Sequence, residues 1–315
     1  MHYLGTFALF YIVAHFFSLV KCYSVISGEK FKKGKAASIM KKAINAWCVA
    51  PTYTMEETFA KVSAAGFEGI ELNVDSEGKS PHSLGMKTTE ADYANIRELS
   101  KKYNLPVCSI ASALWAPKMA DASRHAEAQA LLNKQLEAAV ALGVKSILVV
   151  PSYGGNNLLS EARANIVAFL KAHLPEIEKS GVTVCLENVP SGFFCSPYDW
   201  TALIDELGSD KIAMYFDVGN MMYFSRPEDW IDVLGKRIRM VHIKDVKRNS
   251  DWICSSGDEV GLLKGDINWE AVMPMLREIG YDGWLVGESF KDEDAQSYEE
   301  YFASLSAAFD TIMKI

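Results

Sequence analysis

The chain has few cysteines for its length, six in 315 residues, and no two of them form a CxxC pair. So small a number in so long a chain does not suggest a disulfide framework. Cys48, Cys108 and Cys185 lie in or beside hydrophobic segments that are typical of buried strands. We therefore expect reduced thiols in the interior rather than disulfide bridges.

An excess of positive charge is also missing, since the whole chain has a formal charge of −8. Residues 1–39 hold five basic residues and one acidic residue. The other 27 basic and 39 acidic residues leave residues 40–315 at −12. A surface this acidic repels phosphate backbones, so we expect no nucleic acid among the partners.

One long run without Lys, Arg, Asp or Glu extends from Tyr3 to Val20, near the minimum length for crossing a bilayer. No basic side chain of Lys or Arg precedes it and no A-x-A-like cleavage site follows, so it is a poor signal peptide. If it inserted, the lysines behind it would keep the rest of the chain on the cytoplasmic side.

Two interpretations of residues 1–39 stay open. In one, residues 3–20 anchor a cytoplasmic catalytic domain to a membrane. In the other, translation starts at Met40, where Met-Lys-Lys leads directly into the first strand. Under both, residues 1–39 are a hydrophobic and basic extension, and residues 40–315 form a single folded domain.

From residue 43 onward, short β-branched runs alternate with longer amphipathic runs, which is typical of βα units and a parallel sheet. Eight units favour a closed (β/α)8 TIM barrel of the α/β class over an open sheet. The strands are expected at 43–48, 69–74, 106–111, 145–150, 182–188, 211–217, 238–244 and 283–288. The helices are expected at 54–65, 89–103, 123–142, 159–179, 197–207, 227–235, 268–279 and 295–313.

The last four expected strands each end in a side chain that can bind a metal ion: Glu187, Asp217, His242 and Glu288. The spacings are 30, 25 and 46 residues, about one strand–loop–helix unit each. Because catalytic groups of a barrel lie at the C-terminal ends of its strands, the four should converge there. Three carboxylates and an imidazole suit one divalent cation. Helix capping or internal salt bridges are the alternative explanation.

Five segments together resemble the xylose isomerase-like TIM barrel superfamily, which includes the sugar phosphate isomerase/epimerase family and AP endonuclease family 2. The resemblance covers essentially residues 40–315. It implies a sugar isomerase or epimerase, an inosose dehydratase or an endonuclease IV-type repair enzyme. The segments are Leu186-Glu187-Asn188, Phe216-Asp217-Val218-Gly219-Asn220, Val241-His242-Ile243-Lys244-Asp245, Gly287-Glu288 and Gly69-Ile70-Glu71-Leu72.

Departures from the family patterns narrow this choice. The nuclease branch binds three zinc ions with several further histidines, whereas this chain has only His242 after residue 173. Asn220 stands where the nuclease and tagatose-type epimerase patterns have histidine. Phe193 stands where the tagatose 3-epimerase-like enzymes carry a second glutamate. We therefore expect a single metal ion, with Mn²⁺ foremost and Co²⁺, Mg²⁺ or Zn²⁺ as alternatives.

Such an ion would chelate a carbonyl and an adjacent hydroxyl of a ketose and stabilise an enediolate. In the epimerases of this family, Glu187 and Glu288 would move the proton on opposite faces of the substrate. The sequence favours an isomerase or epimerase of a sugar or sugar phosphate. A lyase resembling inosose dehydratase, using the same mononuclear site, is the alternative, and a homo-oligomer stays open.

Four other residues are candidate substrate contacts, each with a second interpretation. Lys244 would stabilise an oxyanion or hold a phosphate, or else pair with Glu71. Asn220 would contact a substrate hydroxyl or stabilise a turn. Trp47 and Trp115 follow the first and third strands. They would line one side of the sugar-binding site or pack in the rim of the barrel.

Overall fold

Eight parallel strands close into a barrel within residues 40–315, the part of the chain that the computed structural model describes apart from 152–156, 251–255 and 292–294. The barrel closes because the first strand pairs with both the second and the last. The order around it is β1, β10, β7, β6, β5, β4, β3, β2. The strands are β1 Lys41–Asn45, β2 Gly69–Asn73, β3 Val107–Ala111, β4 Ser146–Val149, β5 Thr183–Glu187, β6 Ile212–Asp217, β7 Ile238–Ile243 and β10 Trp284–Gly287.

The helices follow the strands, as the prediction of a (β/α)8 TIM barrel requires, and that prediction is confirmed. Several helices have local stop signals, since Gly143 and Gly181 end two of them in the left-handed conformation that glycine tolerates. The helices are α1 Met55–Ala64, α2 Glu90–Tyr103, α3 His125–Leu142, α4 Leu159–Ser180, α5 Pro197–Leu207, α6 Pro227–Leu234, α7 Trp269–Glu278 and α8 Tyr298–Ile312.

Two details differ from the prediction. The first strand ends at Asn45, earlier than expected, because the Asn45 side chain accepts a hydrogen bond from the Trp47 backbone N–H at 2.7 Å and starts a 3-10 turn. The loop after β7 contains an antiparallel hairpin that was not expected, β8 Asp245–Arg248 and β9 Gly257–Val260. This hairpin accounts for the long interval between the last two ligand candidates.

The barrel interior is a narrow apolar column under the candidate site. Successive side chains of a strand point to opposite faces, so Cys185 and Glu187 share the interior face of β5, and Met240 and His242 share that of β7. The column of buried side chains comprises Ala43, Cys108, Ala111, Leu148, Cys185, Ala213, Tyr215, Met240 and Val286. The larger core lies between the barrel and its helices.

The thiols of Cys48, Cys108 and Cys185 are buried and free, as expected from their position in the strands, whereas that of Cys195 is exposed. Burial raises the pKa of Cys185 to about 12. Within the described residues no helix is long and apolar enough to cross a bilayer. The extension predicted for residues 1–39 lies outside the described residues.

Candidate metal centre

The structure brings the four predicted ligands together at the C-terminal mouth of the barrel. Glu187 and Asp217 are the last residues of β5 and β6, His242 lies near the end of β7, and Glu288 follows β10. One ligand atom from each residue lies within 4.8 Å of all the others. The side chains of Asp217 and His242 are fully buried, and that of Glu288 is 12% exposed. The cluster is therefore mostly buried, and Glu288 is the member that is partly exposed to solvent.

His242 lies at the centre of this cluster. Its Nδ1 is 2.9 Å from Glu187 Oε1 and 3.4 Å from Glu288 Oε2, and its Nε2 is 3.1 Å from Glu71 Oε2. A neutral imidazole that donates its Nε2 proton to Glu71 would present the lone pair of Nδ1 to a metal ion held by the other carboxylates. A histidine that binds a metal ion through one nitrogen commonly donates its other N–H to a carboxylate in this way.

Glu71, on β2, is held by three donors. Asn45 Nδ2 donates to Glu71 Oε2 at 2.9 Å, and the Tyr215 hydroxyl donates to Glu71 Oε1. The Tyr215 ring also packs against the His242 ring, with centroids 4.4 Å apart. This role of Glu71 was not expected from the sequence. The expected alternative, a pair between Lys244 and Glu71, is not formed, since Lys244 pairs with Asp217 and Glu288. The sequence feature that could have indicated this role is a charged residue inside the apolar strand Gly-Ile-Glu-Leu-Asn.

The two oxygens of Asp217 have different surroundings. Oδ1 accepts hydrogen bonds from the backbone N–H groups of Gly219 and Asn220, both at 2.8 Å. Oδ2 is buried and has no hydrogen-bond partner among the described residues, although the Lys244 ammonium lies 3.0 Å away. A buried oxygen left without a hydrogen bond is costly unless another group completes it. This oxygen, which has an ammonium nearby but no hydrogen bond, belongs to a set of three carboxylates and one imidazole, and such a donor set fits a divalent cation.

Lys244 extends into the cluster from the end of β7. Its Nζ is 2.7 Å from Glu288 Oε2 and 3.4 Å from Asn220 Oδ1, in addition to its contact with Asp217. Its side chain is only 11% exposed. The lysine therefore lies among the predicted ligands, as its position two residues after His242 predicts.

The surroundings of Glu187 and Glu288 shift the pKa values of these two carboxyl groups in opposite directions. Burial raises the pKa of Glu187 to about 7, although the hydrogen bond with His242 opposes this. Burial also acts on Glu288, but the positive charges of Lys244 and His242 outweigh it and lower the pKa of that carboxyl. His242 has a pKa well above its usual value, because the charges of Glu288 and Glu71 outweigh the effect of burial. Two neighbouring carboxyl groups thus favour different protonation states near neutral pH.

Asn220 and Asn188 organise the backbone beneath the site. Asn188 Nδ2 donates to the Asp217 carbonyl, and Asn188 Oδ1 accepts from the Asp217 N–H, both at 2.9 Å. Asn220 Nδ2 donates to the Asn188 carbonyl at 2.8 Å. These bonds support the turn-stabilising interpretation of Asn220, and its contact with a substrate hydroxyl stays a prediction.

The two candidate tryptophans have different positions. Trp47 is partly exposed, packs against the interior column, and donates from Nε1 to Asp75 Oδ1 at 3.1 Å. Trp115 is 1% exposed, and its Nε1 donates to Gln135 on α3 at 2.8 Å. Trp115 therefore packs in the core between the barrel and its helices, and the expectation that it walls the sugar does not fit this structure. A role for Trp47 stays a prediction.

Comparison with known proteins agrees with the barrel fold. The family model for the xylose isomerase-like TIM barrel matches residues 59–308. An inosose dehydratase from Lacticaseibacillus casei is 23% identical in an alignment 293 positions long, gaps included, and the match covers 83% of this chain and 91% of that protein. These matches extend over nearly the whole described barrel.

Solved structures share the fold. The zinc-bound IOLI protein superposes with a TM-score of 0.73 and 18% identity, covering 87% of this chain and 98% of that one. D-Psicose 3-epimerase, solved in the presence of D-fructose, has a TM-score of 0.71 and 16% identity, covering 87% of this chain and 99% of that one. Identities this low show the fold alone.

Proposed function

The chain belongs to the xylose isomerase-like TIM barrel family, and on this premise we propose that it is a divalent-metal-dependent isomerase or epimerase of a sugar or sugar phosphate. The observation that carries the proposal is the convergence of Glu187, Asp217, His242 and Glu288 within 4.8 Å at the barrel mouth. Similar proteins include sugar epimerases and an inosose dehydratase, which supports an enzyme acting on a small polyhydroxylated substrate.

The four cluster residues would hold the metal ion, with Mn²⁺ as the first candidate. Bound there, a divalent ion would polarise a substrate carbonyl and stabilise the negative charge that develops on its oxygen. The ligand set itself does not distinguish Mn²⁺ from Co²⁺, Mg²⁺ or Zn²⁺.

Glu187 and Glu288 would transfer the proton. One carboxylate removes the proton from the carbon next to the carbonyl, and the other carboxyl group returns a proton. In the metal-free protein Lys244 and His242 lower the pKa of Glu288, and burial raises that of Glu187 to about 7, which favours Glu288 as the group that accepts the proton and Glu187 as the group that returns one. Return to the same carbon from the opposite face gives an epimer, and return to the neighbouring carbon gives an isomer.

A second candidate is a lyase that resembles inosose dehydratase. The similarity to the inosose dehydratase of Lacticaseibacillus casei, over 83% of this chain, favours it. The same proton removal would then be followed by loss of the hydroxyl group on the next carbon as water, with the second carboxyl group donating the proton. The two reactions share the removal of the proton and differ in the step that follows, which is proton return in one and loss of the hydroxyl group in the other.

Replacement of the glutamates tests the assignment. Glu187→Gln and Glu288→Gln should each lower kcat by about 10²–10⁴-fold, because each removes an acid–base group. The assay uses Mn²⁺-loaded protein in deuterated water with free and phosphorylated ketoses and inososes. Glu270→Gln, at an exposed position of α7, is the matched control and should keep wild-type turnover.

The products distinguish the candidate reactions. Deuterium on carbon or a new stereoisomer supports the isomerase, whereas an ultraviolet-absorbing enone or dicarbonyl supports the lyase. Near-wild-type turnover in either active-site variant would contradict the acid–base assignment.

A further inference from the structure

Lys244 places a buried positive charge among the residues that would bind the metal ion. We infer that Lys244 is the internal counter-ion of the cluster: it holds the carboxylates together before the metal ion binds, and it weakens the binding of that ion. The inference rests on the metal site of the proposed function but not on the reaction. It concerns the affinity of the site and the stability of the metal-free protein.

The contacts of the ammonium are with the oxygen atoms available for coordination. Asp217 Oδ1 is already occupied by two backbone N–H groups, which leaves Oδ2 as its available oxygen. Lys244 Nζ lies 3.0 Å from that Oδ2 and 2.7 Å from Glu288 Oε2. Glu288 Oε2 is also the atom that lies 3.4 Å from His242 Nδ1. The lysine and a metal ion would therefore share two carboxylate oxygens.

The chain leaves room for the lysine at this position. A Cβ atom on residue 219 would lie 2.9 Å from Lys244 Cδ and closer still to Cγ. Gly219 has φ −91° and ψ −36°, a conformation that any residue adopts, so glycine is needed there for space and not for its backbone. The stem of Lys244 fits against the bare backbone between Asp217 and Asn220. Its approach to the two carboxylates is thus sterically defined.

The charges explain the effect on metal binding. Glu187, Asp217, Glu288 and Glu71 bring four carboxyl groups into a buried space, where like charges repel strongly. Lys244 reduces that repulsion in the metal-free protein. A divalent cation that enters the same space is repelled by the ammonium, and it gains less from carboxylates that already have a counter-ion. A neutral side chain at position 244 should reverse both effects.

Lys244→Met, compared with Lys247→Met, tests the inference. Lys247 lies three residues further along, is 57% exposed and pairs with Asp266, so its replacement removes the same charge outside the cluster. Mn²⁺ affinity is measured by calorimetric titration, and melting temperature is measured with EDTA and with Mn²⁺. Lys244→Met should lower the Kd for Mn²⁺ by about tenfold or more. It should also lower the melting temperature in EDTA and increase the rise in melting temperature that Mn²⁺ produces. The Kd of Lys247→Met for Mn²⁺ should stay within about twofold of wild type.

A second variant displaces the lysine without removing its charge. Gly219→Ala should push the Lys244 stem away from the carboxylates, so its Kd for Mn²⁺ should also fall. An equal or weaker Mn²⁺ affinity in both variants would overturn the inference. If the wild-type protein itself binds no divalent ion, the proposed function fails instead, so the two failures are distinguishable.

Discussion

Glu71 lies against Nε2 of His242 and favours a proton on that nitrogen, while Nδ1 faces the carboxylates of the cluster. It accepts the Nε2 proton, and Asn45 and Tyr215 hold it in place from β1 and β6. If Glu71 did not accept that proton, the imidazole could carry it on Nδ1 and lose its lone pair towards the cluster. A carboxylate outside the proposed ligand set would thereby control a proposed ligand.

Glu71→Gln should weaken Mn²⁺ binding by roughly 10–100-fold, the usual effect of removing a carboxylate behind a ligating histidine. His242→Ala should lower the bound metal further, because it removes the ligand itself. Calorimetric titration and metal analysis after dialysis measure the two effects. Glu98→Gln, at an exposed position of α2, is the control. Wild-type affinity in Glu71→Gln would contradict the role of Glu71.

At the scale of elements, Asp245 ties the β8–β9 hairpin to the helix that follows it. Its Oδ1 accepts from the Val246 N–H at 3.0 Å, and its Oδ2 accepts from the Leu263 N–H at 3.0 Å and from Trp269 Nε1 at 3.2 Å. Gly265 lies so close that a Cβ atom there would overlap the carboxylate. The buried carboxylate therefore organises the loop beside the barrel mouth.

Asp245→Asn should lower the free energy of unfolding by about 1–3 kcal/mol, because an amide N–H₂ would face donors that then lose their acceptor. Denaturant unfolding measures this change, and amide hydrogen exchange at Leu263 should accelerate. Asp258→Asn, at an exposed position of β9, should leave both quantities unchanged. Unaltered exchange at Leu263 in Asp245→Asn would show that other contacts hold the loop.

At the scale of the whole molecule, burial of the cluster couples folding to pH. The pKa of Glu187 is about 7 in the folded protein against 4.5 for the ordinary group. Between these values the folded state binds more protons than the unfolded chain. The stability that this group contributes is therefore full below pH 4.5 and is lost as the pH rises to about 7.

Metal-free wild type should accordingly lose stability relative to Glu187→Gln as the pH rises from about 4.5 to about 7. The glutamine variant lacks the titrating carboxyl group, so the comparison reports Glu187 together with its hydrogen bond to His242. Urea unfolding in EDTA across this range measures the difference between their free energies of unfolding. A difference that stays constant with pH would show that Glu187 has an ordinary pKa in the folded protein.

Much of the barrel was predictable because its signals are local. Alternating apolar runs and glycine helix ends mark eight strand–helix units, and the expected helix 197–207 matches Pro197–Leu207. The β8–β9 hairpin was missed because its strands are short and polar, Asp-Val-Lys-Arg and Gly-Asp-Glu-Val, and lack the hydrophobic alternation of a buried strand.

The sequence by itself determined the order of the ligand types and their place at strand ends, since both depend only on neighbouring residues. Tertiary structure decided which side chains meet across the barrel. His242 contacts Glu71, 171 residues earlier in the chain, and Lys244 pairs with Glu288 and Asp217 instead. Barrel closure and strand stagger set these pairs, and both are properties of all the strands together.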